Sequence, residues 1–274
     1  MKIKKLYTYN SGKQIWRILL TGANQFVVET RNMENKEVFF SCIDIETGRP
    51  AFSDFQFDEK SWIGIEAVYK DVILFHKYAK PDMPGHKEII CFDIASQKIL
   101  WQEDKLTFLF VYNDQIVGSV NTFEGWHFYG LDYKTGAIVA DYGENAQQIN
   151  QMRAIAESEK DYSDYKFPER ITKDIIRNLE GDTVIKDIIL GLDIFGDVEY
   201  NSLDDLYVMN YHYRDKGNIT RNKFAAIDLS KNKVIFEEIL NKETKVIVPD
   251  CFFIYKNILI LLKEKNEIIV CRIE

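Results

Sequence analysis

The chain has no apolar run near the ~20 residues that a membrane span needs. Its basic start, "MKIKKLYTYNSGKQIW", gives way to the polar "NSGKQ" before any apolar run of signal-peptide length. Both absences lead us to expect a soluble chain. Basic charge is short too: 35 Lys and Arg face 43 Asp and Glu, a formal net charge of −8, which argues against nucleic acid and against anionic membrane surfaces as general partners. The four cysteines, Cys42, Cys91, Cys251 and Cys271, form no CxxC pair and lie inside apolar runs, the pattern of reduced, buried thiols in a cytoplasmic protein. HxH, HExxH and the twelve-residue EF-hand spacing are all missing, so the sequence leads us to expect no metal, no cofactor and no catalytic set.

What the sequence does have is a core and a repeat. It is 46% hydrophobic and 14% aromatic, enough to fill one large domain. The phrase "CIDIETGRPAF" (42–52) returns as "CFDIASQKILW" (91–101), "GLDYKTGAIVA" (130–140) and "AIDLSKNKVIF" (226–236), which aligns Asp44, Asp93, Asp132 and Asp228. Each copy reads as strand, polar turn, strand. The aspartate suits a structural turn residue whose carboxylate accepts backbone N–H groups two residues on, with Gly48 and Gly136 free to take positive φ. Upstream of each copy lies a second hairpin with Lys-Asp, Asn-Asp, Asp-Asp or Lys-Asn between apolar runs. Two hairpins make a four-stranded unit, A to D. The aspartates are spaced 49, 39 and 96 residues apart, close to one, one and two periods of a propeller blade.

The ends and the wide gap carry separate expectations. "LYTYNSGKQIW" (6–16) matches the hairpin phrase, with Ser11-Gly12 at its turn, and has no strands before it; the last copy supplies strands A to C and stops. The N-terminal strand is therefore expected to complete the last sheet. Residues 141–197 lose the alternation and carry apolar residues at helical spacing: Ile149, Met152 and Ile155, then Ile171, Ile175, Ile176 and Leu179, with Pro168 near a helix start and Gly181 near its end. This predicts two helices near 145–185 inserted into a single domain spanning 1–274. "TVIKDIILGLDIFG" reads either as a strand of a further, degenerate blade or as a cover.

The phrase of Asp, two residues, Thr or Ser, Gly and an apolar tail ending in Trp resembles the repeat of quinoprotein-like (WD40/PQQ-type) β-propellers. It is carried by Asp44, Thr47 and Gly48, by Asp93 with Trp101, and by Asp132, Thr135 and Gly136, while the copy at Asp228 keeps only the aspartate and the tail. The whole also resembles uncharacterised bacterial propeller families of unknown function. The resemblance implies an all-β fold, a β-propeller of about five four-stranded blades closed by its terminal strands, in which Trp16 and Trp101 dock between neighbouring blades. The vicinal cysteines of the quinone pocket are absent, so the resemblance does not extend to quinone-dependent dehydrogenase activity.

In such blades the aspartate turns share one face, and the B–C loops share the other with the insertion. Variable loops on a rigid scaffold are where function is usually placed. The candidate binding face is His76, Lys80, His86, Lys87, Trp126, His127, His212, Arg214 and Arg221, with Lys216 and Lys223 beside them. The histidines suit metal binding or general-base work, and the cations suit an acidic partner or anionic ligand. The expected function is a monomeric, non-enzymatic binding or scaffold propeller for an unidentified protein or small ligand, with exposed Tyr162, Tyr165 and Phe167 in its insertion. The alternative is a hydrolase or lyase with its site at the channel mouth.

Overall fold

The computed structural model describes residues 1–80, 83–177 and 184–274. After β1 (Ile3–Asn10), four strands form an antiparallel sheet in chain order: β2 (Gln14–Leu20), β3 (Gln25–Arg31), β4 (Val38–Asp44) and β5 (Pro50–Phe55). A second sheet runs β6 (Ile63–Tyr69), β7 (Val72–Lys80), β8 (Met83–Asp93) and β9 (Lys98–Glu103). The third is β10 (Thr107–Tyr112), β11 (Gln115–Asn121), β12 (Trp126–Asp132) and β13 (Ile138–Gly143). Then come α1 (Ala146–Ser158), β14 (Tyr165–Lys166), β15 (Glu169–Ile171), α2 (Lys173–Arg177) and α3 (Val184–Leu190). The fourth sheet is β16 (Asp193–Leu203), β17 (Leu206–Arg214), β18 (Thr220–Asp228) and β19 (Lys233–Asn241), preceded at its edge by β15. The fifth holds β20 (Phe252–Tyr255), β21 (Ile258–Lys263) and β22 (Glu267–Ile273), with β14 beside β20 and β1 beside β22. The chain is thus all-β, with five antiparallel sheets of four or five strands. Among the described residues no helix is long and apolar enough to cross a membrane.

Turn chemistry fixes the hairpins. Asp44 Oδ1 accepts the N–H and hydroxyl of Thr47, Asp93 Oδ1 those of Ser96, and Asp132 Oδ1 those of Thr135. At Asp228 the same oxygen takes the Ser230 hydroxyl and the Lys231 N–H. The recurring backbone donor is therefore three residues on, one further than the sequence reading placed it; Asp132 and Asp44 also take a backbone bond two residues on, from Lys134 and Glu46. The residue four beyond each aspartate has positive φ: Gly48 at 70°, Gln97 at 57°, Gly136 at 71° and Asn232 at 46°. The upstream hairpins turn on Lys70, on Asn113 and Asp114, on Asp204 and on Lys256, all at positive φ, as tight hairpin turns require.

The chain divides into two compact units, Lys13–Asp161 and Met1–Gly12 with Tyr162–Glu274. In the first, alternate apolar residues bury Val27, Phe40, Phe52, Phe75 and Phe92 in one cluster and Leu74, Cys91, Leu106, Ile116 and Leu131 in another. Trp101 reaches from β9 to donate its indole N–H to the Tyr133 carbonyl at 3.0 Å. The periodicity read at Ile149 and Met152 is that of α1, which buries both against Phe110, Val117 and Phe128. Asn145 caps this helix, accepting from Gln148 N–H at 3.0 Å.

In the second unit, Leu206, Phe224, Phe252, Leu259 and Ile269 share one core, and Ile176, Ile185 and Ile189 of α2 and α3 pack with Ile194, Val198 and Tyr211. Ile3 lies opposite Ile273, so the N-terminal strand does complete the last sheet. All four thiols are buried and unbridged, and burial pushes Cys42, Cys91 and Cys251 up to about 12 and Cys271 up to about 11.

Several expectations need correction. Residues 6–16 are not a hairpin: β1 and β2 belong to different sheets, because the Ser11-Gly12 break ends pairing with β22 instead of folding β1 back. Trp16 accordingly does not dock between sheets; it is an exposed residue of β2 under the Arg31 guanidinium, 4.2 Å from the ring centroid. Pro168 starts no helix, since it lies between β14 and β15, whose backbones pair with β20 and β16. Gly181 and Leu179 lie outside the described residues. "VIKDIIL" (184–190) forms α3 and not a strand of a further blade; β16 starts at Asp193.

Candidate functional site

Three adjacent strands of the second sheet converge on one cluster. His76 lies on β7 opposite Gly64, and His86 lies on β8 opposite Tyr78, on the face that His76 shares. His86 is therefore a strand residue, contrary to the loop position expected for it. Glu66 is the extra residue where the β6–β7 register shifts between Ile65 and Ala67. A bulge re-aims a side chain, and here it brings the Glu66 carboxylate to the two imidazoles. His86 Nδ1 lies 2.6 Å from Glu66 Oε1, and His76 Nδ1 lies 3.3 Å from the same oxygen. The rings stack with centroids 3.5 Å apart and planes 8° from parallel. Tyr78 meets both edge-on.

The bulge is held from the first sheet. Glu29, 1% exposed, accepts the Ile65 N–H at 3.2 Å, and the Arg17 guanidinium donates to the Ile65 carbonyl. Arg31 forks onto the other oxygen of Glu29 at 2.8 and 3.1 Å. Gly64 leaves room for His76: a Cβ there would stand 3.0 Å from Cε1 and 3.1 Å from Nε2.

His76 is 2% exposed, and both its ring nitrogens are buried without a hydrogen-bond partner. Burial first, then the neighbouring His86 charge, pushes it down to about 3, so the ring is neutral at physiological pH. Burial pushes Glu66 up, offset by His86. A neutral imidazole, a second imidazole one-third exposed and a carboxylate form a donor set for a borderline divalent metal, and the 2.6 Å pair is equally an acid–base couple.

Glu66 also lines a cleft of about 630 Å³ bounded by β6, β10 and the C-terminal turn of α1. Its walls include Tyr69, Phe108, Phe110 and Tyr112, with Lys70 and Lys160 among the charges. Tyr69 and Lys70 both donate to Asp114 at its rim.

The other candidate residues do not join this cluster. His127 Nε2 pairs with Asp141 Oδ1 at 2.6 Å on the surface. Trp126, exposed at the start of β12, borders a smaller hollow with Ile149 and Arg153. His212 belongs to the other unit, where its Nε2 accepts the Val248 N–H at 3.1 Å. The cations expected to form a free basic patch are largely engaged: Lys87 lies 3.8 Å from Glu88, Arg221 2.8 Å from Asp215 and Lys223 2.6 Å from Glu237, while Arg214 lies over Phe195. The Lys80 side chain lies outside the described residues. Sequence reasoning missed Glu66, Glu29 and Gly64. The available signal was a lone carboxylate inside an apolar strand, in "IGIEAVY" and "FVVET".

Residues 21–101, a stretch that contains the whole Glu66–His76–His86 cluster, match a family described as a domain of unknown function, DUF4905. No curated protein matches the chain. One similar solved structure carries the description "Crystal structure of the eukaryotic initiation factor"; it aligns at 10% identity with a TM-score of 0.35, covering 90% of this chain. The chain spans about half of that structure's length, 48%.

Proposed function

We propose that the chain is a five-bladed β-propeller of the quinoprotein-like kind, acting as a monomeric, non-enzymatic binding module that takes a small ligand in the cleft between β6, β10 and α1. Support for the blades is the shared strand order of the five sheets and the β1–β22 pairing. A closed ring predicts the solution scattering of one short cylinder; a two-lobed distance distribution would count against it. Four buried, unbridged thiols fit a reducing cytoplasm.

The cleft carries the binding reading. At about 630 Å³ it is the size of a small-molecule site, roughly 300–1,000 Å³, and it combines aromatic walls with a few charges. The test is amide shift mapping of a fragment library on the labelled chain. Hits are expected to cluster at residues 66–70, 108–114 and 156–160. They are expected to vanish in Ala156→Trp, which sets an indole into the cleft. Hits scattered over the loops, or indifferent to Ala156→Trp, would remove the reading. The Glu66–His86 pair on the cleft wall is the observation that favours a hydrolase or lyase instead. That second reading requires turnover of a bound fragment that Glu66→Gln stops without stopping binding.

A further inference from the structure

Burying an imidazole with neither nitrogen bonded costs free energy that an apolar side chain at the same place would not incur. His76 carries that cost, with Glu66 Oε1 3.3 Å from its Nδ1 and His86 stacked on its face. The surroundings are built to keep it there: Gly64 yields the space of a Cβ, and Glu29 and Arg17 fix the peptide of Ile65, the residue before Glu66. We infer that Glu66, His76 and His86 form a binding site for a borderline divalent metal ion, zinc in the first instance.

The donor atoms all lie within 4.8 Å of one another. Two imidazole nitrogens and a carboxylate oxygen are a common three-donor set for such ions, and a fourth position remains for solvent or for a ligand in the cleft that Glu66 also lines. The rings stand parallel, so their lone pairs run side by side. Coordination by both requires one ring to turn. His86, 33% exposed, has room to do so, whereas His76 is wedged against Gly64. Metal binding therefore breaks the stack, displaces any proton held between His86 and Glu66, and weakens as the pH falls. The neighbouring charge is mixed: Glu29 offsets Arg31, while Arg17, bonded to the neutral Ile65 carbonyl, keeps a positive charge near Glu66 and His76 that works against a cation there.

The experiment uses the untagged full chain, stripped with chelator and titrated with zinc chloride by calorimetry, with metal content measured after dialysis. One equivalent per chain is expected. His86→Ala and Glu66→Gln are each expected to weaken binding by about 100-fold or more, beyond the 10–100-fold typical of outer-shell changes. His127→Ala, at the separate pair with Asp141, is expected to leave it unchanged. Cobalt(II) should give visible ligand-field bands that His86→Ala abolishes. Matching circular dichroism and melting curves establish that the variants fold, and His86→Ala, at a one-third-exposed position, keeps the test open should Glu66→Gln fail to fold. No zinc bound at 100 µM, or equal binding by wild type and both variants, would overturn the site. Fragment mapping repeated in chelator reads the cleft separately, so either inference can fail alone.

Discussion

Gly136→Ala is expected to destabilise the Lys13–Asp161 unit by roughly 2–5 kcal/mol, the sum of a left-handed backbone penalty and overpacking. Gly136 holds φ at 71°, a region in which a Cβ is strained whatever the space around it. There is also no space. The added carbon would stand 2.6 Å from Cδ2 and 2.7 Å from Cγ of Trp101. That indole cannot easily retreat, because its N–H is committed to the Tyr133 carbonyl. The control is Gly12→Ala, which has the same φ of 71° and nothing within 4 Å, and should show the backbone penalty alone. Urea midpoints measure both. Equal losses at the two positions would mean that the Trp101 contact contributes nothing.

Acid is expected to destabilise the unit that holds His212 from about pH 6.5 downward, before the carboxylates titrate. Its ring is 2% exposed, burial lowers its pKa below the ordinary 6.5, and its Nε2 is the acceptor for the Val248 N–H. A protonated ring has no acceptor left, so charging it desolvates a cation and breaks that bond at once. In the unfolded chain the ring takes its proton near 6.5. The folded state binds fewer protons below that pH, so stability is fully present above 6.5 and falls by up to about 1.4 kcal/mol per pH unit as acid is added. His212→Gln keeps an acceptor oxygen near the Nε2 position and cannot titrate, so its slope over the same range should flatten. Parallel slopes for wild type and variant would assign the acid sensitivity elsewhere.

Local chemistry made much of the fold legible. The four aspartate turns announce themselves because one carboxylate with a Thr, Ser or Lys shortly after it satisfies a turn almost independently of the rest of the chain. The helix at Ile149 and Met152 was readable for the same reason, since a buried stripe of period 3.6 is a property of the segment itself. Residues 165–171 were not. Their state is decided by the open edges of β20 and β16, which lie far along the sequence, and "ERI" has no alternation of its own. The cluster at Glu66 was hidden for a related reason. The histidines stood out as rare polar residues in apolar strands, but what unites them with Glu66 is a register shift of one residue, and the lone carboxylate in "GIEAV" does not reveal that shift.

The pairing of Ile3 with Ile273 has a consequence for biosynthesis. β1 leaves the ribosome long before its neighbour β22. At roughly 5–20 residues per second, it waits on the order of ten seconds or more for β22 to be made. All the strands of the Lys13–Asp161 unit emerge in one uninterrupted stretch and can assemble during that wait. The nascent chain therefore carries a folded body while β1 still lacks the strand it pairs with.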